Sequence, residues 1–367
     1  MGQRKSPSSH FGVPDAVLQE IYSYLDVVDQ VNCTSCSRSI NRVSSVGWGK
    51  KEIRLPIISR SQLRYFLTYT QDITSLNLSK NGGWLIDEDL ILKSTKHLNL
   101  GRHTDVVEQL RPLKNKEYLK EPDIHGVIDM TRLKHLNLAG CHISDEGLVH
   151  LEDLPLQYLN LKGCRLITNN GLQNLKKMPL QYLSLESCYR ITGDGLVYLQ
   201  APLQHLNLKL CHRITDKGLA HLENIPLQYL NLQGCRLITN SGLQHFYKMP
   251  LKYLNLESCY RITGDGLIHL QAPLQHLNLK LCHRITDNGL LYLRNIALQH
   301  LNLESCYQIT DAGLVHLHGL QYLNLESCYM VTDAGLAYLQ SSRPLNLSSH
   351  SEANVEMQFL SQLLARL

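Results

Sequence analysis

The sequence lacks an excess of charge of either sign: 36 Lys plus Arg stand against 32 Asp plus Glu in 367 residues, for a formal net charge of +4. That balance makes no strong electrostatic case for a nucleic-acid partner. Also missing is any apolar run approaching the roughly 18 residues that span a bilayer. The first dozen residues hold no continuous apolar core of an export signal. A soluble, unsecreted protein of the cytoplasm or nucleus, with no membrane contact, is the expectation. There is no Gly-rich phosphate loop, no G-x-S-x-G elbow and no H-E-x-x-H pair, so no catalytic residues, metal site or cofactor are identified. What is present is 43% apolar and 19% charged residues, too much core material for a disordered chain.

Eleven cysteines would suggest a disulfide framework in a small secreted protein, but here they are spread through a long chain. Nine fall at positions 141, 164, 188, 211, 235, 259, 282, 306 and 328, separated by gaps of 23, 24, 23, 24, 24, 23, 24 and 22. Such spacing is a repeat period. Neighbouring thiols one strand apart are within bridging reach by backbone distance. The plainer reading is a small side chain filling the corner where a strand turns into a loop. Cys33 and Cys36 form an isolated C-x-x-C with no second pair nearby.

Aligned on these cysteines, each unit reads like Pro155 to Leu175: a Leu-Asn-Leu strand pattern, Cys164, Ile167-Thr168, then Gly171-Leu172 and Leu175. Leu-x-Leu alternation has the period of a strand with one buried face, and Gly-Leu-x-x-Leu the spacing of a helix stripe. Thr before Asp, as at Thr215 and Thr286, places a side-chain oxygen where a helix must start. Twelve strand patterns begin at Leu76, Leu98, Leu136, Leu159, Leu183, Leu206, Leu230, Leu254, Leu277, Leu301, Leu323 and Leu345, with the period lost between Leu100 and Leu136. Residues 155–225 and 226–296 differ at 13 of 71 positions, so three units were copied as a block.

One such unit cannot bury its apolar face alone and must stack on its neighbours. The pattern resembles the leucine-rich repeat, in its cysteine-containing subtype, over about three quarters of the chain. The expected fold class is α/β: a solenoid with a parallel inner sheet and outer helices. A dozen strands about 4.8 Å apart would form a sheet on the order of 50 to 60 Å along its arc, a surface for a protein and not a pocket for a metabolite.

Ahead of the repeats, Val17, Leu18, Ile21, Tyr24, Leu25 and Val28 fall three or four apart, as on an amphipathic helix opened by Pro14. A second helical stretch runs from about Val31 to Val43. The run from Val13 to Asp26, with Cys36-Ser37-Arg38 and Trp48-Gly49-Lys50 after it, resembles an F-box. The resemblance implies that Pro14, Leu18, Ile21 and Leu25 face a Skp-type adaptor and that the second helix, with Ile40, completes the contact. Gln30 and Ile40 stand where the family usually has Leu and Trp. An F-box followed by leucine-rich repeats resembles a substrate receptor of cullin-RING ubiquitin ligases, non-catalytic itself and monomeric within a larger complex. In a bacterial chain the same layout would resemble an effector that borrows its host's ligase. The alternatives are a helical pair that merely caps the first repeat, and a leucine-rich scaffold or inhibitor with no ligase attached.

The expected boundaries are 1–12 for a flexible start, 13–50 for the F-box-like helices and 51–72 for a connecting segment. The solenoid then spans 73–350. Residues 351–367, where Val355, Phe359, Leu363 and Leu367 fall four apart, read as a capping helix that could otherwise bind a partner.

Three rows on the inner sheet should face a target protein. The residue before the first Leu gives Tyr158, Tyr182, His205, Tyr229, Tyr253, His276, His300 and Tyr322. Large amphipathic rings of this kind suit interface anchors. The residue after the second Leu gives Lys162, Glu186, Lys209, Gln233, Glu257, Lys280, Glu304 and Glu326, where selectivity is expected. The Asn row between them reads as a repeat feature. His276 and His300, on adjacent strands, have no third or fourth metal ligand of matching spacing. Following the cysteines come Arg165, Tyr189-Arg190, His212-Arg213, Arg236, Tyr260-Arg261 and His283-Arg284, then Tyr307 and Tyr329. Basic groups among aromatics also suit single-stranded nucleic acid, but the neighbouring glutamates oppose phosphate.

Overall fold

A computed structural model of the chain describes residues 52–54, 75–77, 97–99, 133–200, 202–270 and 273–342. The chain divides into two compact units, Met1–Leu156 and Gln157–Leu367. Described residues of the first unit include four parallel strands in chain order: β1 (Glu52–Arg54), β2 (Ser75–Asn77), β3 (His97–Asn99) and β4 (His135–Asn137). Ile53, Leu76, Leu98 and Leu136 lie in register across them. β1 falls where a connecting segment was expected, because Glu-Ile-Arg carries the alternation without the Leu-Asn-Leu wording. A short helix, α1 (Asp145–Val149), follows β4.

In the second unit eight parallel strands run in chain order: β5 (Tyr158–Asn160), β6 (Tyr182–Ser184), β7 (His205–Asn207), β8 (Tyr229–Asn231), β9 (Tyr253–Asn255), β10 (His276–Asn278), β11 (His300–Asn302) and β12 (Tyr322–Asn324). Their leucines share one register, from Leu159 through Leu323. A helical segment follows each strand. These are α2 (Asn169–Gln173), a 3-10 helix at Gly193–Tyr198, α3 (Asp216–Ala220), α4 (Asn240–Leu243), a 3-10 helix at Gly264–His269, α5 (Asp287–Leu291), α6 (Asp311–Leu314) and α7 (Asp333–Ser342). This is a leucine-rich-repeat solenoid. Leu159, Leu161, Cys164, Ile167, Leu172 and Leu175 are buried in one repeat, as are their counterparts Leu206, Leu208, Cys211, Ile214, Leu219 and Leu222 two repeats on. Each fully buried leucine contributes about 1.5–3 kcal/mol, and none of it is available to a repeat without neighbours.

Seven of the eight strands of this unit end on an Asn that makes a turn, while β6 ends on Ser184 and is equally short. Asn160, Asn207, Asn231, Asn255, Asn278, Asn302 and Asn324 accept, through Oδ1, the backbone N–H two residues ahead. The middle row is therefore turn chemistry. The cysteines are free and buried. Cys188, Cys211, Cys235, Cys259, Cys282, Cys306 and Cys328 each donate Sγ–H to a leucine carbonyl of the preceding repeat at 3.1–3.3 Å. Burial pushes the thiols of Cys211 and Cys259 up to about 12, so they are inert corner fillers. Cys33 and Cys36 lie outside the described residues.

A second inter-repeat lock explains which threonines cap. Asp216 accepts the backbone N–H and the hydroxyl of Thr239, Asp287 those of Thr310, and Asp311 those of Thr332. With its proton given to the carboxylate, each hydroxyl keeps a lone pair for the N–H of Ser241, Ala312 or Ala334 at the helix start. Where the preceding residue is Asn169 or Asn240, its amide donates to Thr192 or Thr263 instead. Those two make no cap bond and open the 3-10 helices. Thr215 and Thr286, expected as caps, also make none. Gly193 and Gly264 stand where their acidic partner would be. There the backbones touch: a Cβ on Gly193 would lie 2.8 Å from Gly218 Cα, and one on Gly264 the same from Gly289 Cα.

Candidate functional site

The helices proposed for adaptor contact, with Pro14, Leu18, Ile21, Leu25 and Ile40, lie outside the described residues, as does the segment carrying Val355 and Phe359. The strands β5 to β12 and the loops that follow them are among the described residues.

On the strand face, the first row forms a stack. In-register parallel strands carry identical positions about 4.8 Å apart, close to the spacing at which aromatic rings stack. Ring centroids are 4.1 Å apart for Tyr158 and Tyr182, 4.2 Å for Tyr182 and His205, 3.8 Å for His205 and Tyr229, and 4.3 Å for Tyr229 and Tyr253. The stack loosens to 6.2 Å between Tyr253 and His276, closes to 4.2 Å between His276 and His300, and tilts again to 5.9 Å at Tyr322. The expectation of solvent-facing rings is corrected for most of this row. Tyr229 is 1% and His205 2% exposed, and Tyr182, Tyr253 and Tyr322 are buried too. Only Tyr158, His276 and His300 are half-buried. Tyr182, His205 and Tyr229 have both ring faces taken by their neighbours. Burial holds His205 down to about 3, and burial followed by the neighbouring His300 holds His276 down to about 4. Among the described residues no group of three or more candidate ligands could hold a metal.

The third row is more open and is tied into pairs. Lys162 Nζ lies 3.0 Å from Glu186 Oε1, and Lys280 Nζ lies 2.9 Å from Glu304 Oε1. Asn278 and Asn324 donate to Glu257 and Glu304. Lys209, Gln233 and Glu257 are half-exposed and Glu326 is exposed. This row keeps charges of both signs at or near the surface.

A second aromatic row lies in the loops after the strands. Tyr189 stacks on His212 at 5.8 Å, Tyr260 on His283 at 5.9 Å, His283 on Tyr307 at 4.8 Å and Tyr307 on Tyr329 at 5.9 Å. Arg165 and Arg236 sit over Tyr189 and Tyr260 at 5.7 and 5.5 Å, cation–π distances. His212 and His283 place Nδ1 2.9 Å from the Gly234 and Ser305 carbonyls. Unlike the strand-face row, this one is open: Tyr260 is 38% and Tyr329 79% exposed. No helix among the described residues is long and apolar enough to cross a membrane.

Comparison with known proteins locates an F-box domain at residues 12–47 and Leucine Rich repeat matches at 130–151, 154–176, 201–222, 223–246 and 272–293. None of the curated proteins compared matches the chain. Among solved structures, it is similar to a chain in "Crystal structure of Rad7 and Elc1 complex in yeast", at 16% identity over 93% of this chain and 94% of that one, with a TM-score of 0.49. It is also similar to a chain in "Crystal structure of TLR13-ssRNA13 complex", at 19% identity over 80% of this chain and 44% of that one, with a TM-score of 0.45. Both likenesses are too distant to bear on function. With an F-box domain match ahead of the Leucine Rich repeat matches, the chain matches an F-box/leucine-rich-repeat protein in its order of parts.

Proposed function

We propose that the protein is the substrate-recognition subunit of an SCF-type cullin-RING ubiquitin ligase. The observation that carries this reading is the F-box domain at 12–47 on the same chain as the repeats. In this reading Pro14, Leu18, Ile21, Leu25 and Ile40 dock on a Skp-type adaptor, and through it on the cullin, while the repeats hold a target protein. Such an architecture is typical of non-catalytic adaptors. The mechanism is proximity: a target lysine held near a charged conjugating enzyme reacts at a raised effective concentration.

Within the repeats, the alternating Lys and Glu row supplies selectivity, and the stacked rings beneath act as a stiff floor. A row from Lys162 to Glu326 in which two lysines are already bridged to glutamates favours a target that offers charges of both signs.

Co-purification with a Skp-type adaptor and cullin tests the reading. The intact chain is expected to retain the adaptor, and Leu18→Asp or Ile21→Asp to lose it while target capture persists. If the chain captures a target but never the adaptor, and both substitutions change nothing, a scaffold without a ligase replaces the proposal.

A further inference from the structure

The loops that follow β5 to β12 have a composition unlike the rest of the surface. Over the eight four-residue stretches 163–166, 187–190, 210–213, 234–237, 258–261, 281–284, 305–308 and 327–330 there are six arginines, two histidines and four tyrosines, and no aspartate or glutamate. Arg165, Arg190, Arg213, Arg236, Arg261 and Arg284 are all exposed, and none of the six joins an ion pair among the described residues. The nearest acidic row is partly neutralised, since Glu186 and Glu304 are held by Lys162 and Lys280.

The ring geometry selects the kind of anion. Nucleic-acid tracks work by stacking bases on aromatic faces. Here most of those faces are occupied, with Tyr329 at the end left open on one side: His212 lies on Tyr189 with an interplanar angle of 8°, Tyr307 on His283 with 6° and Tyr329 on Tyr307 with 9°. Arg165 and Arg236 cover the ring ends at Tyr189 and Tyr260. What the row offers outward is ring edges and the guanidinium forks of Arg190, Arg213, Arg261 and Arg284, which pair in planar, bidentate geometry with carboxylates, as they do with phosphates. Six repeats at this row's ring spacing of 4.8–5.9 Å place the outermost arginines roughly 24 to 30 Å apart, the reach of about seven to nine residues of extended chain. Beyond Arg284 the row changes character to Tyr307, Tyr329 and Met330, with Tyr329 79% and Met330 57% exposed.

We infer that this loop row is a docking track for an extended, carboxylate-rich peptide segment of a partner protein, with an apolar residue at the end that meets Tyr329 and Met330. The track is separate from the strand face, and it holds whether or not the F-box engages an adaptor.

The test is fluorescence anisotropy of the full chain with a labelled ten-residue Asp/Glu peptide ending in Phe-Leu. Comparison probes are the same peptide with Asn/Gln, a phosphoserine peptide with no Asp or Glu, and a single-stranded poly-U 15-mer. The acidic peptide is expected to bind at least tenfold more tightly than each of the others, and to weaken as salt rises from 50 to 300 mM. Arg190→Gln with Arg261→Gln, and Arg213→Gln with Arg284→Gln, should each weaken it at least fivefold. Lys217→Gln with Arg294→Gln, exposed cations outside the track, should leave it unchanged. Unaltered thermal melting of each variant establishes that it is folded. Equal binding of the amide peptide, preference for the phosphopeptide or the oligonucleotide, or indifference to the arginine substitutions would overturn the proposal.

Discussion

Two aromatic ladders run along the second unit with the same period, and they differ in almost everything else. The strand-face ladder, Tyr158 to Tyr253, stacks at 3.8–4.3 Å and is largely buried. The loop ladder, Tyr189 to Tyr329, is spaced at 4.8–5.9 Å where its rings touch and is exposed among arginines. The difference comes from what fixes each backbone. From β5 to β9 strand positions are held by the sheet at close to a ring-stacking distance, although the same row opens to 6.2 Å at His276 and 5.9 Å at Tyr322. Loop positions sit past the Asn that ends the strand, where the chain turns away and the rings spread. The first ladder contributes to folding, and the second presents chemistry to a partner.

Truncating one ring of each ladder tests that division with the largest expected effect. Tyr229→Ala removes a side chain 1% exposed with rings on both faces. It should cost about 3–5 kcal/mol, as large-to-small changes in a core do. Tyr260→Ala removes a ring already 38% exposed, and should cost about 1 kcal/mol or less. Urea denaturation of the two variants reads the contrast directly. Equal losses would mean that both ladders are structural.

An acid titration separates the ladders with an intermediate effect. His205 is held down to about 3 by burial in the strand-face stack. The unfolded chain therefore takes up its proton near the ordinary histidine value while the native state does not. The stability this contributes is complete above about pH 6.5 and is lost as pH falls toward 3. His276, held down to about 4, adds a loss of the same sign over a narrower pH window. His205→Phe keeps a ring in the stack and removes the proton site, so its unfolding midpoint should fall less steeply between pH 6 and 4. An unchanged slope would show that the stack admits the charged ring.

How much of this was readable in advance follows from what each residue does. Leu159, Cys164, Ile167 and Leu172 announce the repeat, because their burial requires only a period. The Asn row was readable as a repeat feature for the same reason. The stacking of Tyr229 was not, because alternation tells which side of a strand a residue leaves from and says nothing about the ring one strand away. The sheet spacing alone would have supplied it. Nor could a Thr before Asp or Asn reveal that Thr239 caps and Thr215 does not, since the deciding residue, Asp216 or Gly193, stands one repeat earlier. β1 escaped because Ile53 stands in for the leucine pattern. The F-box resemblance rests on wording alone, Val13 to Asp26, and agrees with the F-box match at 12–47.

The smallest expected effect lies at the corner joining the two ladders. The residue before each cysteine turns the chain from the strand face to the loop row in the left-handed region: φ is 73° at Gly163 and 74° at Gly234, but also 59° at Ser187 and Ser258 and 61° at Leu210 and Leu281. A non-glycine residue there is strained by about 1 kcal/mol. Glycine relieves that strain and returns part of it as unfolded-state entropy. Ser258→Gly should therefore raise stability by about 0.5 kcal/mol, visible as a small rise in the urea midpoint. Leu210 is a different case. Its Cδ2 would lie 2.9 Å from a Cβ placed on Gly234, so its side chain fills the space beside the next corner. Leu210→Gly should lower stability despite the same backbone relief. If both substitutions stabilise, the corner is set by backbone strain alone; if both destabilise, side-chain packing at the corner holds the loop ladder at its wider spacing.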